Sequence, residues 1–325
     1  MRVKLATAFV VALVIAASCS EGSDDAALDD DSVVTEEPSE SVDTDDGDAG
    51  DTDDTGIEID DEIDDVDLAL VRDDVDCSPD AIGADDTPFT TVHYVVDGVL
   101  GAPCLGDVDD TVLDAWHSLA VIAPTLARAD LGLFGGYTGD EESDEVTLAF
   151  VNSIDFDGDL FQMSVNLDAY QDDANEALLT MAHEFSHVFT QLPSQLDRTL
   201  EAADNCDTYY NGEGCFYDSA LMWRYMVEFW PQEFIDEFDP EVEASNEVGA
   251  ERCALNPDFL GPYAASNPEE DFAETFSAFV FELDVDPALD DKIAWMASQL
   301  GLAEFRDRAI DAGLTPLDNN FEPCG

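Results

Sequence analysis

The order of hydrophobic and polar positions predicts strands early in the folded chain and mostly helices later. Stretches 89–96 and 146–151 are rich in β-branched and aromatic residues, and 161–167 alternates apolar and polar positions, as a half-exposed strand does. Helical spacing occurs over the ranges 111–129, 176–191, 219–229, 268–282 and 287–300. Because strands come early and helices late, the pattern predicts an α+β fold rather than alternating βαβ units.

The N-terminus has the pattern of an export signal. Basic Arg2 and Lys4 begin an apolar run of 13 residues, 5–17, which is too short to span a bilayer as a mature helix. The run ends in small residues directly before Cys19, and this ending resembles the bacterial lipobox. The resemblance implies cleavage before Cys19 and an extracytoplasmic protein, anchored to the outer face of a bacterial membrane by lipid on that cysteine. The alternative, an ordinary cleavage site with an incidental cysteine, also takes the protein out of the cytoplasm.

An acidic segment separates this signal from the rest of the chain. Asp, Ser, Thr and Gly dominate residues 20–65. This segment holds too little apolar surface to offset the conformational entropy that it would lose on folding. The predicted organisation is a lipoprotein signal peptide at 1–18, an acidic disordered linker at 19–70 and one folded domain at 71–325.

The chain is acidic throughout, with 78 Asp and Glu against 10 Lys and Arg and a formal net charge of −68. No basic patch is available to neutralise phosphates, which excludes nucleic acid as a partner. An anionic membrane surface would also repel the domain, so membrane contact is expected through the N-terminal lipid only. We interpret the charge as adaptation to a salty medium, in which screening relieves the self-repulsion. Calcium binding by the acidic segment is the weaker alternative, since no EF-hand-like spacing is present in it.

Six cysteines remain when Cys19 is set aside. An even number in an oxidising compartment suggests up to three disulfides, and Cys206 with Cys215, which flank a short glycine-containing loop, form the favoured local pair. No C-x-x-C pair is present, which argues against a cysteine zinc site.

The sequence H-E-F-S-H at 183–187 matches the H-E-x-x-H pattern of zinc enzymes. His183 and His187 are four residues apart, so a helix places both imidazoles on one face, where they can bind one zinc ion at about 2.0–2.1 Å. Glu184 can then reach a water at the metal and act as its base. The remaining histidines, His93 and His117, lack such partners and are predicted to be structural.

The third zinc ligand is expected to be a carboxylate, because no histidine follows the motif. The best segment is 263–276, in which Asn267 is a good N-cap for a helix. Glu270 and Glu274 lie one turn apart beside an apolar stripe, so one could bind metal while the other accepts a hydrogen bond from a ligand histidine. Glu270 could instead close a capping box, and Glu269 at the helix start is a further candidate ligand.

The two motifs together resemble the gluzincin metallopeptidases. The segment E-D-F-A-E at 270–274 is similar to that of anthrax-lethal-factor-like peptidases and related zinc-binding lipoproteins. The resemblance, which spans roughly 146–281, implies a zincin-like domain with a small mixed or antiparallel sheet followed by a mainly helical lower half. It also implies that Glu270 is the metal ligand, that Glu274 supports the site, and that Tyr263 hydrogen-bonds the oxyanion. Tyr263 could alternatively be a loop aromatic that covers the core.

The resulting interpretation is a zinc-dependent endopeptidase that hydrolyses peptide bonds outside the cytoplasm, with a peptide or protein as substrate. The strand at 161–167 is the expected edge along which that substrate lies. The alternatives are a non-catalytic surface lipoprotein with a structural zinc site and a zinc hydrolase of a non-peptide amide. No feature of the sequence specifies an oligomeric state.

Overall fold

The computed structural model describes residues 11–15, 65–84, 87–139, 146–200, 203–240, 242, 244–318, 321 and 323–324. Cys19 and nearly all of the predicted linker lie outside the described residues. The described chain folds into a mixed sheet and a larger set of helices, which confirms the predicted α+β class.

The sheet has the strand order β1-β5-β6-β4-β2-β3, in which β4 and β6 are parallel and all other pairs are antiparallel. Its strands are β1 (Val11–Ile15), β2 (Phe89–Val96), β3 (Val99–Leu105), β4 (Leu131–Tyr137), β5 (Val146–Ser153) and β6 (Phe161–Asn166). A two-stranded sheet of β7 (Leu196–Asp197) and β8 (Cys215–Phe216) lies in the second half.

The described helices lie between the strands and throughout the second half of the chain. Their bounds are α1 (Asp110–Ile122), α2 (Thr125–Arg128), α3 (Leu167–Asp172), α4 (Ala174–Thr190), α5 (Leu221–Phe229), α6 (Gln232–Glu237), α7 (Asn246–Leu255), α8 (Pro268–Val280), α9 (Asp290–Ser298) and α10 (Leu302–Asp311). The main core lies between one face of the sheet and helices α1, α4 and α8, where Trp116 packs edge-on against Phe134 with ring centroids 5.2 Å apart.

Two predicted elements differ in the structure. The helix predicted over 111–129 ends at Ile122, because Pro124 disfavours helical geometry at Ala123, which is extended at φ −89° and ψ 126°. The strand predicted over 161–167 is neither half-exposed nor an edge. As β6 it is fully buried and pairs with β4 on one side and β5 on the other, so it has no free edge for a substrate.

The strand β1 comes from the segment predicted as the export signal. It pairs antiparallel with β5, with Val11 opposite Val151 and Ile15 opposite Val146. Cleavage before Cys19 would remove β1 and leave β5 as the edge strand. At the other end of the predicted linker, Val66 forms a bridge with Leu100, so residues near 65 already contact the sheet.

Three disulfides join the six cysteines considered above, in the pairs Cys77–Cys104, Cys206–Cys215 and Cys253–Cys324. The predicted Cys206–Cys215 pair is confirmed. This disulfide content is compatible with an extracytoplasmic location. Among the described residues, no helix has both the length and the apolar character needed to cross a bilayer.

Candidate metal centre

The helix α4 places His183 and His187 on one buried face. Asp173 caps its N-terminus by accepting hydrogen bonds from the backbone N–H groups of Asn175 and Glu176. The two imidazole rings follow at a spacing of four residues, with centroids 5.2 Å apart and Nε2 atoms 3.4 Å apart. Both nitrogens therefore point at one region of space.

The helix α8 brings a carboxylate to the same region. Asn267 caps it by accepting hydrogen bonds from the N–H groups of Glu269 and Glu270, and Pro268 fills the first helical position, as the sequence predicts. The Glu270 side chain lies toward the histidines, with Oε2 2.9 Å from His183 Nε2 and 3.7 Å from His187 Nε2. The side chain of Glu270 therefore meets the imidazoles of α4 instead of closing a capping box.

His183, His187 and Glu270 form a group that could hold a metal ion. Their ligand atoms all lie within 4.8 Å of one another, and all three residues are buried. Two imidazole nitrogens and one carboxylate oxygen form the His₂Glu donor set of open catalytic zinc sites. Glu184 follows His183 in α4 and interacts electrostatically with His187 and Glu270, and neither of its carboxylate oxygens has a hydrogen-bond partner among the described residues.

Burial and neighbouring charges shift the pKa values of the ionisable side chains at this site. Burial by itself lowers the pKa of both histidines, but the hydrogen bond and charge of Glu270 raise the pKa of His187 to about 9. The same hydrogen bonds hold the pKa of Glu270 below its usual value, against the effect of its own burial. Burial raises the pKa of Glu184 well above that of a solvated glutamate. A buried carboxylate without a partner is costly, so the group favours an added cation.

Tyr263 also lies at this site. Its ring centroid is 6.1 Å from that of His183, and its buried hydroxyl has no hydrogen-bond partner among the described residues. Burial raises the pKa of Tyr263, and the charges of Glu270, Glu184 and Glu274 raise it further. The hydroxyl is therefore close to these carboxylates.

Glu274 is buried one turn after Glu270. Burial and the Glu270 charge raise its pKa well above the usual value, and its Oε2 atom has no partner among the described residues. Within the described chain no hydrogen bond joins Glu274 to His183 or His187. The predicted supporting role of Glu274 therefore has proximity to the site in its favour but no direct contact with a histidine.

His93 and His117 lie outside the candidate metal group. His93 is fully buried in β2 and forms a hydrogen bond from Nδ1 to the carbonyl oxygen of Gly101. His117 is exposed on α1 and contacts Asp65 at 2.9 Å.

Sequence reasoning missed the surroundings of Glu269 and Asp271. Glu269 Oε1 accepts hydrogen bonds from Asn211 and Gln191, and burial raises its pKa to about 7. Asp271 forms a buried ion pair with Lys292. The only available signal was the run of acids at 269–271, which did not indicate the direction of each side chain.

Comparison with protein-family models, with curated proteins and with solved structures finds no match for this chain. The fold and the site therefore define its class directly. It is an α+β protein with a buried two-histidine, one-glutamate group suited to a metal ion.

Proposed function

We propose that the protein is a zinc-dependent endopeptidase of the gluzincin type that acts outside the cytoplasm. One observation carries the proposal: the buried group of His183, His187 and Glu270 has the unpartnered carboxylate of Glu184 in its immediate surroundings. A structural zinc site is normally closed by four protein ligands, whereas this group provides three and leaves a position open.

The donor set supports zinc as the ion. Imidazole and carboxylate ligands suit zinc, and one ion would be held by His183, His187 and Glu270. Bound there, zinc supplies Lewis-acid chemistry that makes a water more acidic and polarises a carbonyl group. The ligand role of Glu270, rather than of Glu269 or Glu274, is supported by its contacts with both histidines.

The protein's own residues then perform the proton transfers and stabilise charge. Glu184 takes a proton from the attacking water and later gives it to the leaving amine. The hydroxyl of Tyr263, which has no other partner in the described chain, donates a hydrogen bond to the carbonyl oxygen as negative charge develops on it. Burial of the group excludes bulk water, which strengthens both interactions.

The substrate peptide is proposed to lie along β5 instead of the predicted β6. Helix α4, which carries the motif, contacts β5 directly. Loss of β1 with a cleaved signal peptide would expose the outer edge of β5, and an edge strand can pair with an extended peptide. The antiparallel pairing of β1 with β5 shows that this edge accepts an extended segment.

The proposed location follows from the N-terminal pattern together with the disulfides. Three disulfides in the described chain fit an oxidising compartment. Lipid on Cys19 would hold the protein at the outer face of a bacterial membrane, with its substrates outside the cell.

The test compares Glu184→Gln with Glu228→Gln, a control at an exposed position of α5. We expect native protein and the control to bind one zinc and cleave peptides in a mixed library read by mass spectrometry. Glu184→Gln should retain zinc and lose cleavage, whereas His183→Ala should lose zinc. Zinc binding without cleavage of any peptide by native protein would favour the non-catalytic lipoprotein, and cleavage of non-peptide amides only would favour the other hydrolase. Failure to take up any divalent metal would refute the metal assignment altogether.

A further inference from the structure

A second acidic group lies directly beside the candidate metal ligands. Glu269 precedes Glu270 in the first turn of α8, and its Oε1 atom accepts hydrogen bonds from Asn211 Nδ2 at 3.0 Å and Gln191 Nε2 at 3.3 Å. Gln191 follows the last residue of α4, and Asn211 lies in the loop closed by the Cys206–Cys215 disulfide. Three separate parts of the chain therefore fix the position of one carboxylate.

The other oxygen of this carboxylate is left without a bond. Among the described residues, Glu269 Oε2 accepts no hydrogen bond, and no Lys or Arg forms an ion pair with the side chain. Glu269 is partly exposed, whereas Pro268 and Glu270 on either side of it are buried. A firmly oriented carboxylate with one unused oxygen at the edge of a buried site is suited to receive a donor from a ligand.

Tyr209 provides an independent sign of a missing partner. Tyr209 lies in the same disulfide-closed loop. Its ring is 3% exposed and stacks on Phe216, with ring centroids 5.8 Å apart. Its hydroxyl is buried and has no hydrogen-bond partner in the described part of the chain. The charges of Glu269 and Glu270 act on this hydroxyl and raise its pKa beyond the effect of burial. A buried hydroxyl normally has a hydrogen-bond partner, so this one is available to bond a polar group of a ligand.

We propose that Glu269 and the hydroxyl of Tyr209 form a specificity subsite that binds a positively charged group of the peptide substrate. The group is an ammonium or guanidinium, which donates hydrogen bonds to Glu269 Oε2 and to the Tyr209 oxygen. It belongs either to a Lys or Arg side chain or to a free N-terminus. This inference rests on the proposed peptidase function, because the subsite selects among peptides for the same metal centre.

The subsite differs from the general attraction of cations to an acidic protein. Long-range attraction is spread over many carboxylates and is screened within about 8 Å at physiological salt. A contact at one partly buried, hydrogen-bonded carboxylate is screened much less. A charge preference that depends on Glu269 and persists at high salt therefore identifies the subsite.

The experiment measures binding by zinc-loaded Glu184→Gln protein, which cannot turn peptides over if Glu184 is the base. Fluorescence anisotropy at pH 8 compares peptides that carry Lys or norleucine at each position, with free and with acetylated N-termini. We expect about a tenfold preference for one charged form, the magnitude of one charge-assisted hydrogen bond. The Lys and N-terminal arms identify which group enters the subsite.

The variants separate the subsite from its surroundings. Adding Glu269→Gln keeps Oε1 as an acceptor for Asn211 and Gln191 and removes only the charge, so the preference should disappear while norleucine peptides bind as before. Glu213→Gln is the matched control, because Glu213 lies in the same loop but pairs with Arg198 at 3.3 Å. Tyr209→Phe should weaken the preference without loss of zinc.

The outcomes distinguish the two proposals. A preference that survives Glu269→Gln, or that falls equally in Glu213→Gln, would overturn the subsite even if peptides are cleaved. Peptide binding could depend on Glu269 while the native protein cleaves no peptide. This result would support the subsite and refute the peptidase function. Absence of any peptide binding would overturn the subsite.

Discussion

Replacement of Lys292 by Met should strongly destabilise the protein, because Lys292 neutralises a carboxylate deep in the core. Its Nζ atom lies 2.7 Å and 2.8 Å from the two oxygens of Asp271. Asp271 is 0% and Lys292 2% exposed. Tyr225 and Trp230 also donate hydrogen bonds to Asp271 Oδ2, each at 2.9 Å. These neutral donors remain in the variant, but the compensating charge does not.

The expected loss follows from leaving one charge of a buried pair alone. Removing one partner typically costs about 3–5 kcal/mol, far more than the loss of an exposed pair. For a domain of this size each kcal/mol lowers the melting temperature by about 2–4 °C, which gives a decrease of about 6–20 °C. The Asp271→Asn/Lys292→Met double variant should recover much of this loss, since it buries no unpaired charge.

The assay is thermal unfolding followed by circular dichroism at several pH values, with Arg224→Met as control. Arg224 is an exposed residue of α5 that lies over Trp295, so its loss should cost less than about 1 kcal/mol. Burial already raises the pKa of Asp271 in the native protein, and loss of Lys292 raises it further. The folded variant then binds a proton more tightly than the unfolded chain, so its stability deficit should shrink as the pH falls. Equal losses in both variants, or a deficit independent of pH, would refute this reasoning.

Two further predictions concern other parts of the fold. Burial raises the pKa of Asp130 from 3.8 to about 6, so ionisation opposes folding as the pH rises between these values. Asp130→Asn should therefore stabilise the protein by about 1–2 kcal/mol at pH 7.5, after allowance for partial exposure, and by little at pH 4. Urea unfolding that shows the same gain in stability at both pH values would contradict this. A Cβ atom on Gly249 would lie 1.7 Å from the carbonyl oxygen of Pro262, next to Tyr263. Gly249→Ala should lower the free energy of unfolding by about 1–3 kcal/mol and reduce peptide cleavage, whereas Glu251→Ala on the exposed face of α7 should do neither. Unchanged unfolding and activity in Gly249→Ala would show that α7 does not position Tyr263.

The helices of the site could be predicted because their signals are local. The H-E-x-x-H spacing and the Asn-Pro cap of α8 are each encoded within a few residues. The spacing alone did not decide among Glu269, Glu270 and Glu274, and only the family resemblance favoured Glu270, because the choice depends on how α8 is rotated against α4. That rotation is set by packing between segments that are distant in sequence, since His183 and Glu270 are 87 positions apart.

The sheet was harder to predict because burial on both faces removes the alternation of polar and apolar positions. The strand β4, L-G-L-F-G-G-Y, is buried at every position and was missed. Its glycines are required by close packing, since a Cβ on Gly136 would lie 2.5 Å from Val112. In β6, Gln162 and Ser164 suggested a solvent face, but they are buried and Gln162 donates a hydrogen bond to Ser164 at 3.1 Å. The segment around Ile82 covers that face, and Gln162 also donates to the Ile82 carbonyl oxygen.

The scarcity of basic residues gives the metal assignment a further physical basis. Within the described chain every Lys and Arg is engaged in contacts away from the metal group, as in the Arg128 bonds to backbone carbonyls and the Lys292 pair with Asp271. Glu184, Glu270 and Glu274 are buried close together, and among the described residues the two imidazoles are the positively charged groups nearest to them. Adjacent residues of α8 thus have different partners, a permanent cation for Asp271 and imidazoles for Glu270. Since imidazoles lose their charge on deprotonation, the proposed divalent ion would balance the charge of Glu270 over a wider range of pH than the imidazoles can.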